Sequence, residues 1–254
     1  MSKTALIEAI EKFDVERCQA ILQRSPDLER LQIDKGYNLL QYCCKRVTAG
    51  KPDAAGRQLR LAKWLVGHGF DPKVTYTTAP GEDGEDDPAE LSLVWFAVAK
   101  AQNNRLARYF LSQGARASAM FAAAGWGHAD IIADLVRHGD DLNATVGATP
   151  FHMAVEVLHR GTERRPELAR ERLKALKEML RLGADPNLGS FDGTTPLHTV
   201  LKKEYDVGVF KLLLQYGANP DVPGKDGRTV REIASKKRDQ RYFKALSAPR
   251  SHRQ

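Results

Sequence analysis

Cysteines are few in this sequence, and long apolar runs are absent. The 254 residues include three cysteines, of which Cys43 and Cys44 are adjacent, so there is neither a disulfide framework nor a C-x-x-C pair. We therefore expect core thiols in a reducing compartment. No stretch approaches the ~18 consecutive apolar residues of a membrane span. Glu8 and Glu11 stand where a signal peptide would be apolar, which predicts a cytoplasmic protein and leaves a secreted effector without a classical signal peptide open.

Residue patterns typical of catalytic sites are missing too. The sequence has no H-E-x-x-H motif, no Cys/His cluster and no glycine-rich phosphate loop followed by Lys-Ser/Thr. GEDGEDD would repel phosphate, and GWGHAD has no strand before it. We predict that the chain is not an enzyme and holds no cofactor or metal. An active site hidden in an insertion is the least favoured alternative, because no insertion offers a nucleophile–base pair.

Charge is concentrated at one end of the chain. The formal net charge is +7, and residues 225–254 carry ten Lys or Arg against three Asp or Glu, which accounts for the whole excess. The excess positive charge therefore predicts binding contacts at the C-terminal end, and it does not describe the surface of the whole fold.

Five segments of the sequence end in the same way. Each is an apolar helical pattern that runs into a glycine and then a turn, which is typical of a helix that ends in a left-handed residue. The five segments are residues 65–72, 109–115, 135–143, 179–187 and 212–221.

Two further segments begin in the same way. Thr149-Pro150-Phe151-His152 and Thr195-Pro196-Leu197-His198 each place a good N-cap residue before a proline suited to the first helical position. An apolar helix, a short break and a second amphipathic helix follow. Because the two histidines share one position of a repeating unit, we expect structural hydrogen bonds from them rather than catalysis or metal binding.

These features resemble the ankyrin repeat, whose pattern is roughly G-x-TPLH-x-A, a G-H-like break and E-I-V-x-LLL-x-x-GADVN. The match is strongest over 192–221 and 117–143. The resemblance implies an all-α solenoid of helix–loop–helix units with β-hairpin-like connections. We expect one domain over 1–246, with a flexible tail at 247–254. The seven expected repeats are 1–34, 35–76, 88–116, 117–144, 145–188, 189–223 and 224–246.

The sequence departs from this pattern in several places. Repeat 3 reads Leu93-Val94-Trp95-Phe96 where TPLH is expected, which predicts that both the cap and the imidazole are lost. The connection over 114–119 is nearly deleted. Insertions are expected at 46–58 as a Gly/Pro loop, at 77–90 as an acidic mobile segment at a hairpin tip, and at 159–172 as part of a lengthened second helix.

Binding residues are implied by the resemblance alone. In ankyrin arrays partners usually bind the concave side, formed by the hairpin tips and by the exposed end of each first helix. We leave open whether Trp126 is exposed for binding or packed at the shortened junction. The implied partner-binding residues are Tyr37, Lys45, Arg46, Lys100, Trp126, Glu156, Val157, Thr194, Lys202, Lys203 and Arg228.

Most of these residues are basic, which predicts a monomeric module that binds an acidic protein partner as an adaptor, inhibitor or regulator. The alternative is a nucleic acid or other polyanion bound by the basic end, KKRDQRYFK at 236–244. We favour the first, because no nucleic-acid-reading motif is present and a terminal capping repeat must be polar on its outer face.

Overall fold

The computed structural model of the chain describes residues 2–78, 89–160, 165–238 and 240–247. Most of the acidic insertion expected at 77–90, residues 161–164 of the third insertion and all but the first residue of the expected tail lie outside the described residues. Two compact units are formed. The N-terminal unit comprises Met1–Ala122 with Arg137–Asp140, and the C-terminal unit comprises Ala123–Val136 with Asp141–Gln254.

Helices build the N-terminal unit, with one short hairpin. Helix pairs of successive repeats are joined by irregular turns, and a 3-10 turn covers Pro26–Arg30. The elements are α1 (Lys3–Glu11), α2 (Val15–Arg24), α3 (Leu39–Cys44), α4 (Pro52–Gly67), β1 (Thr75–Thr77), β2 (Glu90–Ser92), α5 (Leu93–Trp95), which continues as a π-helical turn over Phe96–Lys100, and α6 (Asn104–Ser112).

The C-terminal unit repeats the same helix pairs without a strand in its described part. Helix α7 (Met120–Trp126) begins in the N-terminal unit and ends in this one. The remaining helices are α8 (Ala129–Arg137), α9 (Pro150–Glu156), α10 (Pro166–Arg181), α11 (Pro196–Lys202), α12 (Val207–Gln215), α13 (Val230–Lys236) and α14 (Gln240–Leu246). The predicted all-α helix–loop–helix fold is confirmed.

The glycine endings close the second helices as the sequence predicts. Gly183 has φ +96°, and the next residue, Ala184, donates its N–H to the carbonyl of Met179 at 3.0 Å. The corresponding bonds, Phe70 to Leu65 and Ala218 to Leu213, also span five residues. This 6→1 bond is the Schellman closure, which satisfies carbonyls that the end of a helix leaves unpaired.

The N-terminal caps are mostly as predicted, with two corrections. Thr149 accepts the N–H of His152 at 3.0 Å, but the Thr195 hydroxyl lies 2.8 Å from Nδ1 of His198 and makes no cap bond to the backbone. Repeat 3 does have a cap, because Ser92 accepts the N–H of Trp95 at 3.1 Å. The expected loss of the cap was wrong, because the repeat pattern begins at Ser92 and not at Leu93. The imidazole is absent as expected, since Trp95 stands at the histidine position.

The first insertion is a lengthened helix rather than a loop. Helix α4 begins at Pro52, so only residues 46–51 of the expected 46–58 loop are non-helical. Proline suits the first helical position, and the alanines at 54 and 55 favour the helix more than Gly56 disfavours it. The third insertion contributes to α10 as predicted, and both α4 and α10 have 16 residues.

Hydrophobic burial holds the helix pairs together. Helix α6 buries Leu106, Ala107, Phe110 and Leu111, and each large side chain contributes ~1.5–3 kcal/mol when it leaves water. All three cysteines are buried and unpaired, as expected of core residues. Within the described ranges, no helix has the length and apolar character that crossing a membrane requires.

Candidate functional site

A cavity of about 260 Å³ opens between the first helices of repeats 5 and 6, in the C-terminal unit. Helix α9 contributes His152, Met153 and Glu156, and the turn before α11 contributes Asp192 and Thr194. Thr199, Lys202 and Lys203 complete the wall from α11 and its C-cap. Four of the predicted binding residues therefore line one cavity, namely Glu156, Thr194, Lys202 and Lys203.

The turn that carries Thr194 is held by Asp192. Oδ1 of Asp192 accepts the Ser190 hydroxyl at 2.7 Å and the Thr194 N–H at 3.0 Å. These bonds hold the pKa of the Asp192 carboxyl well below its usual range, so the group is charged at neutral pH. Nζ of Lys225 lies 3.6 Å from its other oxygen.

The two lysines of this cavity differ in what they contact. Nζ of Lys203 lies 2.5 Å from Oε1 of Glu156 and 3.1 Å from its carbonyl oxygen, so this charge is already paired. Lys202 is exposed and makes no ion pair with any residue that the structure describes. Of the two lysines that line the cavity, Lys202 is therefore the one without an ion pair to a described residue.

His152 and His198 differ in the same respect. Both ring nitrogens of His198 are bonded, Nδ1 to Thr195 and Nε2 to the carbonyl of Arg228 at 3.1 Å. Nε2 of buried His152 lies 3.1 Å from the Thr199 hydroxyl, whereas its Nδ1 has no partner among the described residues. Burial lowers the pKa of His152, which favours the neutral ring.

Three other predicted residues of this unit are placed as follows. Trp126 is 41% exposed, so it was not absorbed into the core. Val157 is only 6% exposed, and its side chain does not reach the surface on which it was expected. Arg228 is exposed and is held by Asp226, two residues before it in the same turn.

The N-terminal unit has its own cavity, of about 610 Å³, beside Lys45 and Arg46. Nζ of Lys45 lies 2.6 Å from Oδ2 of Asp34 and 4.5 Å from the centre of the Tyr37 ring. Arg46 lies 3.1 Å from Oε1 of Glu11.

The two remaining predictions of this unit concern an aromatic and a cation. Tyr37 is 6% exposed and packs against Tyr76 at 4.4 Å between ring centres, so it supports the surface rather than forming it. Nζ of Lys100 lies 5.1 Å from the centre of the Trp95 ring.

The comparisons with known proteins agree with this helix-pair architecture. Residues 192–225, which carry Asp192, Thr194, Lys202 and Lys203, match the family model for the ankyrin repeat. The human ASB11 ankyrin repeat domain superimposes with a TM-score of 0.68 at 20% identity, covering 97% of each chain. The chain has the ankyrin-repeat fold.

Further known proteins share the fold or parts of the sequence. The Bcl-3 ankyrin repeat domain has a TM-score of 0.68 at 16% identity, covering 97% of this chain and 99% of that one. Protein fem-1 homolog A of Bos taurus is 33% identical over 91 residues, and a putative ankyrin repeat protein of Rickettsia felis is 40% identical over 55. The matches cover 36% and 20% of this chain but only 14% and 24% of the relatives' own lengths.

Ankyrin repeats generally mediate protein–protein interaction and are generally not enzymes. Their function therefore depends on surface residues, and sequence reasoning missed three of these beside Lys45. Lys12, Lys51 and Arg57 line the 610 Å³ cavity and form no ion pair within the described part of the chain. For Lys51 and Arg57 the signal was the run of cations from 45 to 57, which was hidden because the formal charge of residues 1–224 sums to zero, whereas Lys12 lies outside that run.

Proposed function

We propose that this ankyrin-repeat chain binds another protein through the surface formed by its first helices, and that the bound segment is acidic. The observation that carries the proposal is the 260 Å³ cavity of the C-terminal unit, where Lys202 has no ion-pair partner among the described residues. Fixed polar groups surround this cation and give the cavity a definite shape. In this role the chain acts as an adaptor, inhibitor or regulator.

Recognition at this surface combines ionic and apolar contacts. A partner carboxylate pairs with Lys202, which lines the cavity. Met153, which is 36% exposed, and Trp126 offer apolar surface to neighbouring side chains. Charges at the edge of an interface mainly accelerate association, so most of the affinity comes from the buried contacts.

The cavity of the N-terminal unit supports the same partner chemistry. Lys12, Lys51 and Arg57 add three cations to Lys45 and Arg46, and Glu11 is the only acidic residue in its lining. Lys45 and Arg46 are partly neutralised by Asp34 and Glu11, so the first three attract an acidic segment most strongly.

The basic C-terminal end remains the alternative. Three cations of residues 225–254 are already paired, Arg228 with Asp226, Arg231 with Asp221 and Lys237 with Glu204, and Lys237 lies within the proposed site at 236–244. This pairing favours a polar capping repeat over a polyanion site. We further propose a cytoplasmic monomer that has no catalytic activity and holds no cofactor or metal.

The test compares two variants that change charge equally. Lys202→Glu alters the cavity of repeats 5 and 6, whereas Lys244→Glu alters exposed α14 at the basic end. Proteins captured from nuclease-treated lysate should be retained by Lys244→Glu and lost by Lys202→Glu. The reverse result would move binding to the C-terminal end, and equal retention would remove the cavity from the proposal.

A further inference from the structure

A second groove lies on another face of the C-terminal unit, between the second helices of repeats 5 and 6. It has a volume of about 570 Å³ and is lined by α10, α12 and the residues just after α9. Leu158 and Val209 are buried at its floor, and Leu173 and Leu212 are half-buried on opposite walls. The groove is open and mainly apolar.

The groove exists because the two helices differ in length. Helix α10 has 16 residues and α12 has 9, and both end at equivalent glycines, Gly183 and Gly217. The extra residues of α10 therefore extend its N-terminal end by about 10 Å. Ala169 and Arg170 lie on this extension, and the facing helix offers Gly208, which has no side chain to fill the space.

The cations of α10 differ in what they contact. Lys174 lies 2.7 Å from Glu171, and Arg181 lies 2.7 Å from Glu178, so these two cations are already paired. On the groove side, Arg170 and Lys177 stand seven residues apart and pair with no described residue.

Helix α12 adds a third cation to the edge of the groove. Lys211 likewise forms no ion pair with any residue in the described ranges. Asp206 is the only acid of the lining, and its Oδ1 already accepts the N–H of Gly208 at 2.7 Å. An apolar floor edged by three uncompensated cations thus faces solvent.

We propose that this α10–α12 groove binds an amphipathic helix of a partner protein, with an apolar face on Leu173 and Leu212 and acidic residues on both flanks. A helix laid into a groove presents side chains at positions i, i+3, i+4 and i+7, which matches an elongated apolar floor. The acidic flanks neutralise Arg170, Lys177 and Lys211. This surface is distinct from the cavity around Lys202, and the two proposals can fail independently.

The test uses fluorescence anisotropy with a labelled peptide of about 14 residues, built of Leu on one helical face and Glu elsewhere. A peptide of the same composition with the leucines spread around the helix is the control. We expect the scrambled peptide to bind at least about tenfold more weakly than the amphipathic one.

Variants at two lysines of α10 locate the binding. Lys177→Glu, in the groove lining, should weaken binding by about fivefold or more, and Lys174→Glu, outside the lining, by less than about twofold. Leu173→Asp should abolish binding. Circular dichroism of each variant checks folding, and the Lys177 and Lys174 variants are matched in helix position and charge. Lys202→Glu should leave peptide binding unchanged.

Four results would overturn the proposal. They are no binding of the amphipathic peptide, equal binding of the scrambled peptide, equal losses in the Lys177 and Lys174 variants, and self-association of the wild-type chain that Lys177→Glu removes. The last result would assign the groove to a second copy of this chain.

Discussion

Gln58 and Arg172 are the seventh residues of two helices of equal length, and each closes the end of the helix before it. Nε2 of Gln58 donates to the carbonyls of Cys43 and Arg46, which stand 15 and 12 residues earlier. Nη1 of Arg172 donates to the carbonyls of Val157 and Arg160 at the same two separations. A buried polar side chain on each lengthened helix thus donates to carbonyls at and just after the C-terminal ends of α3 and α9.

Replacing Arg172 by Met should cost ~2–4 kcal/mol of unfolding free energy. The variant keeps the apolar stem but removes the side-chain donor from the carbonyls of Gly125 and Arg160, and leaves that of Val157 with the N–H of Arg160 alone. Urea denaturation monitored by circular dichroism measures the loss. Arg170→Met on the exposed side of α10 is the control and should change stability by less than ~0.5 kcal/mol. Equal stabilities of the two variants would contradict the closing role.

Gln58→Met should lower the unfolding free energy by ~1–3 kcal/mol for the same reason. Besides the two carbonyls, Oε1 of Gln58 accepts the amide of Asn103 at 2.9 Å, and that amide keeps only its bond to the carbonyl of Ala55. The urea midpoint should fall with little change in slope. A midpoint equal to that of the wild type would show that water replaces these bonds without cost.

Gly127→Ala should destabilise the chain more than Gly69→Ala does. Both glycines have positive φ, +80° and +103°, so each substitution carries a backbone cost of ~1–2 kcal/mol. A Cβ on Gly127 would lie 2.8 Å from the backbone nitrogen of Arg172, whereas nothing lies within 4 Å of one on Gly69. The difference between the melting temperatures of the two variants measures the cost of the steric overlap between the Cβ added at position 127 and Arg172. Equal decreases in melting temperature would argue against this close approach.

Acidification should destabilise the folded chain through His128 and His152. Burial lowers the pKa of both rings below the ordinary value of 6.5. Between the lowered pKa and 6.5 the unfolded state binds more protons, so stability rises with pH there and is lost as pH falls below 6.5.

Urea titrations from pH 7.5 to pH 5 measure this dependence. A variant with both histidines changed to Gln should lose part of the slope, although carboxylates such as Asp192 still contribute at lower pH. A slope identical to that of the wild type would exclude the two rings as its source.

The three thiols should react with a disulfide reagent such as DTNB only after unfolding. Burial raises the pKa of Cys18 to about 12, and Cys44 is shifted in the same direction. The rate of thiol release in native buffer should therefore be far below that in urea. Rapid reaction of one thiol without denaturant would show that the helix carrying that cysteine unfolds locally.

The caps and helix endings could be predicted from the sequence because they depend on neighbouring residues. Thr149 and the terminal glycines each satisfy backbone groups a few positions away, so their spacing alone identifies them. The start of α4 was missed because proline and glycine usually indicate a loop. Proline is nevertheless favourable at the first helical position, where Pro52 stands, and one glycine such as Gly56 is tolerated in a helix interior.

The position of a residue in the repeat does not predict whether its side chain is exposed and free of an ion pair. Lys202 and Lys203 are equivalent in sequence terms, but only Lys203 reaches Glu156 of the preceding repeat. Val157 and Tyr37 were expected at the surface and are buried, because packing between helices decides which side of an end residue faces solvent. Partners 47 residues apart leave no local signal.

Because β1 pairs with β2, the length of the insertion between them should have little effect on the stability of the repeat that carries it. Thr77 pairs with Glu90, and the N–H of Thr78 donates to the carbonyl of Ala89 at 3.0 Å, so the two ends of the insertion are clamped together. Doubling the length of a flexible closed loop costs only ~0.6 kcal/mol. This hairpin is therefore a permissive site at which foreign sequence can be grafted without rebuilding the array.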